Sequence, residues 1–411
     1  MMKEKKDVLF LCQYFYPEYV SSATLPYQTA RVLVSAGFDV GVLCGYPKEY
    51  SNVQNVSFVE VHDGIYIKRV RYVQLERAKT IGRIINQLSF TIAVLGRLVQ
   101  FRNYRSVIVY SNPPILPFVA AIASWVFGCS VVFVSYDVYP EMALLTGNMS
   151  STSLLHKAMR FVNRIVFKRA KRVIALSQEM RDYLLDNRKL GESTAIEVIP
   201  NWCPDEDLPA LAEVRNETLR RLRAEKGFIV SYFGNLGICQ DHETLFGAIR
   251  QLRNQPEVHF LFAGHGAKMD LLKETIQREK LNNVTIFDFL HGSDFREALA
   301  ISDCFALSLH KELTGLAVPS KTYTYMMVGK PIIAIIGANS DIARDLLDNG
   351  AGYVVEAGDD ASMVAAITEL LRDEDKRLLM GQRCRGVYLQ KYTVEECTGK
   401  YVDLFREILG A

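Results

Sequence analysis

The sequence predicts an α/β protein built from two doubly wound domains, each a parallel sheet covered by helices. Its 411 residues are enough for two or three domains with large cores. Short β-branched and aromatic runs alternate with helical patterns along nearly the whole chain, which is typical of parallel sheets. Residues 201–209 are acidic and proline-containing and predict a linker, so the domains span residues 1–200 and 210–393. Ligands of such sheets bind beyond the carboxyl ends of the strands, so we expect the domains to face each other across a cleft.

The strands follow from the apolar runs. In the first domain they are predicted at Val8–Cys12, Phe38–Leu43, Ile65–Val70, Ser106–Tyr110, Val131–Ser135, Arg172–Leu176 and Ile196–Ile199. In the second they are predicted at Ile229–Phe233, His259–Ala263, Val284–Phe287, Cys304–Ser308, Pro331–Ile336 and Gly352–Val355. Helical patterns at residues 360–372, 375–391 and 394–409 close the chain.

Composition indicates a globular protein of a reducing compartment. Hydrophobic residues make up 49% of the chain and the mean hydropathy is +0.06, which excludes a disordered or fibrous protein. The eight cysteines form no Cys-x-x-Cys pair and no cluster with histidine. We therefore expect buried free thiols in the cytoplasm, and neither a zinc site nor a disulfide framework. The charged segment Met1 to Asp7 precedes only five apolar residues, too few for a signal peptide.

One uncharged stretch, residues 106–136, is long enough to require comparison with a transmembrane helix. Prolines 113, 114 and 117 interrupt its front, and Gly128 interrupts its back. A span needs about 20 helical residues. We therefore predict a strand, a helix over residues 115–127 and a second strand, buried together as a βαβ unit.

The charge is unevenly distributed. Residues 1–200 contain 24 Lys and Arg against 15 Asp and Glu, and the remainder contains 24 against 31. The predicted helix 81–101 combines a wide apolar stripe with flanking arginines at positions 83, 97 and 102, and residues 157–172 add seven cations and no acid. This pattern fits a helix lying on an anionic membrane surface, with Arg83, Arg97 and Arg102 as membrane or acceptor contacts; an ordinary core-facing helix is the alternative.

Two glycine turns follow strands of the second domain. Gly234-Asn235 comes after one strand, and Gly264-His265-Gly266 comes after the next. Glycines at a strand-to-helix turn let backbone amides approach a phosphate, so two such turns suggest a diphosphate or nucleotide pocket; plain tight turns are the alternative. Further along, Pro319-Ser320 begins a helix whose first turn carries Lys321, where the helix dipole disfavours a cation. A cation placed there usually holds an anion.

Six ordered motifs complete the pattern. They are Gln13-Tyr14-Phe15-Tyr16-Pro17-Glu18, Asp137-Val138-Tyr139-Pro140-Glu141, Ile199-Pro200-Asn201-Trp202, Phe233-Gly234-Asn235-Leu236-Gly237, Ala263-Gly264-His265-Gly266, and Pro319-Ser320-Lys321 followed by Tyr325-Met326-Met327-Val328-Gly329-Lys330-Pro331. In this order the motifs resemble the bacterial retaining glycosyltransferases of family four, in the branch that builds O-antigen, colanic-acid and capsule repeat units. The resemblance covers nearly the whole chain.

The resemblance implies a GT-B fold, in which two Rossmann-like domains hold the acceptor (first domain) and a UDP- or GDP-sugar donor (second domain), and a last helix, here 394–411, packs back on the first domain. The candidate donor-binding residues are Gly234, Asn235, Gly264, Gly266, Glu312, Pro319, Ser320, Lys321 and Thr324. The sequence departs from the family in three places. Ser21-Ser22 replace a glycine pair, Leu316 and Thr324 replace two glutamates, and Gln240 replaces a basic residue. The donor phosphates are thus left to Lys321, Ser320 and the turn amides, and Glu312 is a candidate substitute for a lost carboxylate.

The implied reaction is sugar transfer with retention at the anomeric carbon, with Lys321 and helix N-termini stabilising the departing diphosphate. No metal or other cofactor is expected, and we interpret the Asp-x-Asp sequence in the linker, Asp205 to Asp207, as solvated charge. Asp137 and Glu141 follow a strand of the first domain, where a carboxylate could position the acceptor hydroxyl or take its proton. An aspartate that caps the next turn is the alternative, and the resemblance favours Asp137 over Glu141.

These expectations describe a cytoplasmic enzyme, peripheral at the inner membrane face, that acts on a nucleotide sugar and a polyprenyl-diphosphate-linked acceptor. Other glycosyltransferases are further candidate partners. A sugar-nucleotide 2-epimerase and a catalytically degenerate partner subunit are the alternative functions. Nucleic-acid binding is not expected, because the basic residues accompany an apolar helix and not exposed aromatic platforms.

Overall fold

The computed structural model describes residues 5–48, 51, 53, 55–75, 80–147 and 149–410, and the chain forms two compact units. The first unit comprises Met1–Asn201, Gly315–Val318 and Val394–Ala411; the second comprises Trp202–Thr314 and Pro319–Thr393. Each unit is a parallel sheet covered by helices, with one antiparallel edge strand in the first, so the predicted class of two Rossmann-like α/β domains is confirmed.

The first unit contains an eight-stranded sheet. Its strands are β1 (Lys6–Leu11), β2 (Val40–Gly45), β3 (Val59–His62), β4 (Ile65–Val70), β5 (Tyr104–Tyr110), β6 (Ser130–Ser135), β7 (Arg172–Ala175) and β8 (Ala195–Val198). The strand order is β3-β4-β2-β1-β5-β6-β7-β8, and only the β3–β4 pair is antiparallel. The direction of winding changes between β1 and β5, and in open α/β sheets ligands bind beside such a switch point.

Helices cover this sheet. They are α1 (Ser21–Ser35), α2 (Thr80–Leu95), α3 (Leu116–Phe127), α4 (Glu141–Leu145), α5 (Leu154–Arg169) and α6 (Gln178–Asn187). Side-chain caps start α5 and α6, where the hydroxyls of Ser153 and Ser177 accept hydrogen bonds from the amides of His156 and Met180. The uncharged stretch 106–136 forms β5, α3 and β6, as predicted. Within the described residues, no helix is both long and apolar enough to cross a membrane.

The second unit contains a six-stranded sheet. Its strands are β9 (Phe228–Phe233), β10 (Val258–Ala263), β11 (Val284–Phe287), β12 (Cys304–Ser308), β13 (Ile332–Ile335) and β14 (Gly352–Val355). All neighbouring pairs are parallel, in the order β11-β10-β9-β12-β13-β14, so the switch point lies between β9 and β12. The inner strands β9, β10, β12 and β13 are buried along their whole length, which explains their continuous apolar sequences.

Eight helices surround the second sheet. They are α7 (Glu217–Glu225), α8 (Glu243–Gln251), α9 (Ala267–Glu279), α10 (Gly292–Ile301), α11 (Lys321–Val328), α12 (Asp341–Asp348), α13 (Asp360–Arg372) and α14 (Glu374–Lys391). Helix α11 ends at Gly329, whose φ of +71° places it in the left-handed region, and Pro331 then prevents continuation.

The last helix, α15 (Val394–Leu409), lies in the first unit and packs against α1. Two cations, one in β5 and one just before β7, hold its C-terminal carbonyls. Arg105 donates to the Leu409 carbonyl at 2.5 Å, and Lys171 donates to the Ile408 carbonyl at 3.3 Å. Cations at a helix C-terminus also interact favourably with the helix dipole.

Two local features differ from the prediction. The sequence analysis missed β3, which pairs with β4 across a tight turn at Asp63-Gly64, where both residues have positive φ. The helix predicted over residues 81–101 ends at Leu95, and a short 3₁₀ segment, Leu98–Asn103, follows. Gly96 separates the two, consistent with the low helix propensity of glycine.

Candidate functional site

The carboxyl ends of β9 and β10 bring the two predicted glycine turns together. A Cβ on Gly264 would lie 2.1 Å from the carbonyl oxygen of Gly234, and a Cβ on Gly266 would lie 2.4 Å from that of Leu236. The turns are joined by backbone hydrogen bonds, including one from the Leu236 amide to the His265 carbonyl at 2.8 Å. Glycine is therefore required at positions 264 and 266 because the two turns approach each other closely.

Lys321 reaches this pair of turns from the first residue of α11. Its Nζ donates to the Tyr232 hydroxyl at 2.6 Å and to the Asn235 carbonyl at 3.1 Å, and it lies 3.8 Å from the centroid of the Tyr232 ring. A Cβ built on Gly234 would lie 3.8 Å from Lys321 Cε. Burial lowers the pKa of Lys321 to about 7, since a buried ammonium loses hydration and no carboxylate among the described residues pairs with it. An anionic ligand here would supply the missing counter-charge.

Tyr325 fixes α11 against the sheet. Its hydroxyl accepts a hydrogen bond from the Phe233 amide at 2.8 Å, and its ring stacks on Phe305 with centroids 4.2 Å apart. Because Tyr325 is one helical turn after Lys321, this contact sets where the lysine points. The sequence analysis missed the supporting roles of Tyr232 and Tyr325. The i,i+4 spacing of Lys321 and Tyr325 was the available signal.

The other predicted donor residues lie in different environments. Ser320 is exposed immediately before α11 and follows Pro319, and Glu312 is exposed in a one-turn 3₁₀ helix, Lys311–Leu313. The Thr324 hydroxyl hydrogen-bonds the thiol of Cys203, whose pKa burial raises to about 12. Thr324 therefore already has a partner away from the glycine turns.

The structure explains two of the positions at which the sequence differs from the family pattern. The Gln240 side-chain oxygen accepts a hydrogen bond from the Gly237 amide at 2.8 Å, so it stabilises the turn in place of a cation. Leu316 is buried and its carbonyl accepts from the Val138 amide at 2.9 Å, both within the first unit. A nearby cation that the sequence analysis missed is Lys268, whose amide donates to the Leu236 carbonyl at 3.0 Å.

An aromatic ladder stands at the same edge of the second sheet. Phe289, which follows β11, stacks between His265 and His291 with centroid distances of 5.9 and 4.3 Å. Its side chain is 53% exposed. An exposed aromatic ring at the sheet edge that carries the candidate anion site is suited to stacking against a planar ligand group. The sequence analysis missed this ladder, because its three rings come from two separate loops.

In the first unit, Asp137 lies at the carboxyl end of β6. It lines a small cavity of about 10 Å³, space for about one water molecule, together with Ser111 and Arg188. The Ser111 hydroxyl accepts hydrogen bonds from the amides of Tyr136 and Asp137 at 3.0 and 3.2 Å, which fixes the backbone there. Burial alone raises the pKa of the Asp137 carboxyl to about 6. A carboxylate with such a pKa is suited to accepting a proton near neutral pH.

Glu141 has a different environment from Asp137. Arg188 donates to both of its carboxylate oxygens, at 3.0 and 2.6 Å, and also to the Tyr139 carbonyl at 3.1 Å. The arginine side chain is only 10% exposed, so this bidentate pair ties α4 to the end of α6. A carboxylate held in this way is a weaker candidate base than Asp137. The geometry therefore favours Asp137, as the resemblance does.

The apolar stripe of α2 faces outward. Phe90 and Val94 are buried, whereas a run of large aliphatic side chains is exposed: Ile81, Ile84, Ile85, Leu88, Ile92, Leu95 and Val99. Arg83 and Arg102 are exposed beside this face, and Arg97 donates to the Ala93 carbonyl at 3.0 Å. Arg77 and Lys79, which add to the basic charge of this region, lie outside the described residues. One face of α2 is therefore buried against the unit, and its broader aliphatic face is exposed.

The acidic residues of the linker lie beside cations of the second unit. Asp205 makes an ion pair with Arg385 at 2.6 Å, and both side chains are partly exposed. Within the part of the chain that the structure describes, no three His, Cys, Asp or Glu residues converge in a way that could hold a metal ion.

Comparison with known proteins agrees with this architecture. Residues 23–202 match the family model "Glycosyl transferase 4-like domain", and residues 214–386 match "Glycosyl transferases group 1". The chain is 24% identical over 335 residues to "Probable glycosyltransferase WbjE" of Pseudomonas aeruginosa, covering 81% of each protein. It is 21% identical over 305 residues to "Putative colanic acid biosynthesis glycosyl transferase WcaI" of Escherichia coli, covering 72% of this chain and 74% of that one.

Among solved structures, the chain is similar in fold to Anabaena Alr3699/HepE in complex with UDP-glucose. The TM-score is 0.67 at 19% identity, and the match covers 98% of this chain and 99% of the other. The two Rossmann-like domains and the two matched family models define a glycosyltransferase of the GT-B class. The chain belongs to this class as a glycosyl transferase 4-like domain followed by a group 1 glycosyl transferase domain. Its activity is glycosyl transfer in the biosynthesis of polysaccharides or glycoconjugates.

Proposed function

We propose that the protein transfers a sugar, with retention of anomeric configuration, from a UDP- or GDP-sugar to a polyprenyl-diphosphate-linked acceptor in the assembly of a bacterial surface polysaccharide. The observation that carries the proposal is the Lys321 ammonium at the paired glycine turns, a site that suits a diphosphate. The name of the colanic-acid relative supports the polysaccharide context, and the UDP-glucose complex of the HepE structure supports a nucleotide-sugar donor.

On the donor side, the leaving group departs as a nucleoside diphosphate and gains negative charge. Lys321 and the positive end of the α11 dipole stabilise that charge where it develops, which is the largest contribution that a site of this kind makes. The scheme assigns this task to protein groups and includes no metal ion. In this scheme Phe289, whose ring is exposed between two imidazoles, stacks against the nucleobase.

On the acceptor side, Asp137 positions the attacking hydroxyl and accepts its proton. Its pKa of about 6 leaves it ionised at neutral pH yet basic enough to share a proton as the new bond forms. Glu141 is assigned no chemical step in this scheme, because Arg188 engages both of its oxygens.

The acceptor is lipid-linked, so the enzyme works at the cytoplasmic face of the membrane as a peripheral protein. The exposed aliphatic face of α2 and its arginines suit an anionic lipid surface. We expect vesicles with anionic lipid to retain the protein and a triple charge reversal, Arg83→Glu, Arg97→Glu and Arg102→Glu, to release it. Equal retention by neutral and anionic vesicles would contradict this part of the proposal.

The central experiment measures nucleotide release from a panel of UDP- and GDP-sugars with a polyprenyl-diphosphate-linked acceptor. We expect turnover with a subset of donors, an α-linked product from an α-linked donor by NMR, and a loss of about 10²–10³-fold in kcat/KM in Lys321→Gln. Lys280→Gln, at an exposed lysine at the end of α9, is the matched control. Donor binding without turnover of any donor would favour the degenerate partner subunit, and an inverted product would refute retention.

A further inference from the structure

The first unit contains a second, larger cavity between α2, α4 and α5. Its volume is about 410 Å³, within the range of pockets that hold small organic ligands. The walls are mainly aliphatic and include three methionines, at positions 142, 149 and 159, together with Leu88 and Leu155. Methionine side chains are flexible and polarizable, so such walls adapt to an irregular hydrocarbon.

This cavity adjoins the pocket of Asp137. Pro114 and Tyr139 line both cavities, so the two share a wall at the start of α4. A ligand that filled the larger cavity would therefore have one end close to the proposed acceptor carboxylate. None of the chemistry assigned above uses the larger cavity.

The surroundings of the cavity are both apolar and cationic. Ile84, Leu88 and Leu155, which line it, are each about 40% exposed, so the cavity opens onto the outward apolar surface of the unit. Arg83 lines the opening, and α5 exposes Lys157, Arg160 and Arg164, with no acidic residue along that helix. The matching ligand has one hydrocarbon chain and an anionic head.

We propose that this cavity binds the phosphate-proximal isoprene units of a single polyprenyl chain, the lipid end of the acceptor, and thereby selects lipid-linked over free acceptors. The assignment rests on the proposed function, since it supplies that acceptor's second binding determinant. A recess with walls from three helices fits one chain, whereas a bilayer surface needs only the flat exposed face of α2. Arg83, the cation at the opening, binds the phosphate. The sugar then lies on the side of the cavity that borders the Asp137 pocket.

The test compares binding of farnesyl phosphate, below its micelle concentration, with binding of inorganic phosphate by calorimetry, without membranes. We expect farnesyl phosphate to bind at least about tenfold more tightly, because it buries several methylene groups. Ala143→Trp places an indole in the cavity and should abolish this preference. Leu145→Trp, on the same helix at an exposed position that does not line the cavity, should retain it. If Ala143→Trp fails to fold by circular dichroism, Leu88→Glu introduces a charge into the same cavity from a partly exposed position.

Equal affinity for the two phosphates, or equal losses in Ala143→Trp and Leu145→Trp, would overturn the cavity assignment. Donor turnover by the wild-type protein, measured separately, reports on the proposed function. Intact turnover without a preference for the chain would therefore reject only the cavity, whereas absent turnover with every donor would reject the function itself.

Discussion

Donor affinity should fall steeply above neutral pH, and Lys321 should be the cause. Burial lowers the pKa of Lys321 to about 7 in the free protein, so much of the lysine is neutral at physiological pH. A nucleotide-sugar diphosphate favours the charged ammonium and raises its pKa again. Donor binding is therefore coupled to uptake of a proton, and the coupling strengthens as the pH rises above the pKa of the free protein.

The size of the effect follows from that pKa. If only the charged form binds, the apparent dissociation constant scales with the inverse of the protonated fraction, which is about 0.9 at pH 6 and about 0.1 at pH 8. The affinity should therefore weaken about tenfold between pH 6 and pH 8, equivalent to about 1.4 kcal/mol, and by about tenfold more at pH 9. A nucleotide sugar is the appropriate probe, because its diphosphate has no terminal phosphate that titrates near neutrality.

The assay is isothermal titration calorimetry in buffers of different ionisation enthalpy, which counts the protons taken up. At pH 8 the wild-type protein should take up nearly one proton per donor bound, and Lys321→Gln should take up none and bind weakly at every pH. Lys280→Gln should behave like the wild type. A dissociation constant that is flat from pH 6 to pH 9, or proton uptake that persists in Lys321→Gln, would refute the reasoning.

Three further predictions concern single side chains. Asp137→Asn should lower kcat by about 10²–10⁴. The folded-state pKa of Asp137 (about 6) lies above its ordinary value of 3.8, so the folded protein resists its ionisation. The free energy of unfolding therefore falls as the pH rises from 3.8 through 6. Asparagine should therefore stabilise the fold by at most about 3 kcal/mol at pH 8 and about half of that at pH 5, measured as thermal shifts. Glu141→Gln should lower the free energy of unfolding by roughly 1–3 kcal/mol, because it weakens the pair with Arg188, but should leave kcat nearly unchanged. A fall in kcat as large as that of Asp137→Asn would show that Glu141 takes part in the reaction. Gly264→Ala should abolish donor binding in the same titration, whereas Gly386→Ala, a helical glycine with open space around it, should not; donor binding retained in Gly264→Ala would contradict the close approach of the turns.

The alternation of strands and helices could be predicted from the sequence because buried parallel strands are continuous apolar runs. All thirteen predicted strands are present, with ends shifted by at most two residues. The fourteenth, β3, was missed because its residues alternate between exposed and partly exposed, so no apolar run marks it. Its signal was local instead, in the Asp63-Gly64 turn that pairs it with β4.

Residues of the candidate site could be predicted from the sequence only where the backbone conformation restricts the residue type. Gly264 and Lys321 were identified because a close approach and an unfavourable helix position each require an explanation. Tyr232, Tyr325 and Phe289 were not identified, since their roles depend on which strand and helix ends meet in three dimensions. The same limit applies to Glu141, whose partner Arg188 lies 47 residues away in the chain.

Asp137 and Lys321 must be in opposite protonation states, so the pH profiles of kcat/KM and kcat should differ. Asp137 must be ionised, which needs a pH above about 6, and Lys321 must be protonated, which needs a pH below about 7 in the free protein. Since kcat/KM reports the free enzyme, its profile should be a narrow bell centred near pH 6.5. Because bound donor raises the pKa of Lys321, kcat at saturating donor should lose the alkaline limb and retain only the acidic one. Burial thus sets both pKa values, and donor binding restores the charge of only one of the two groups.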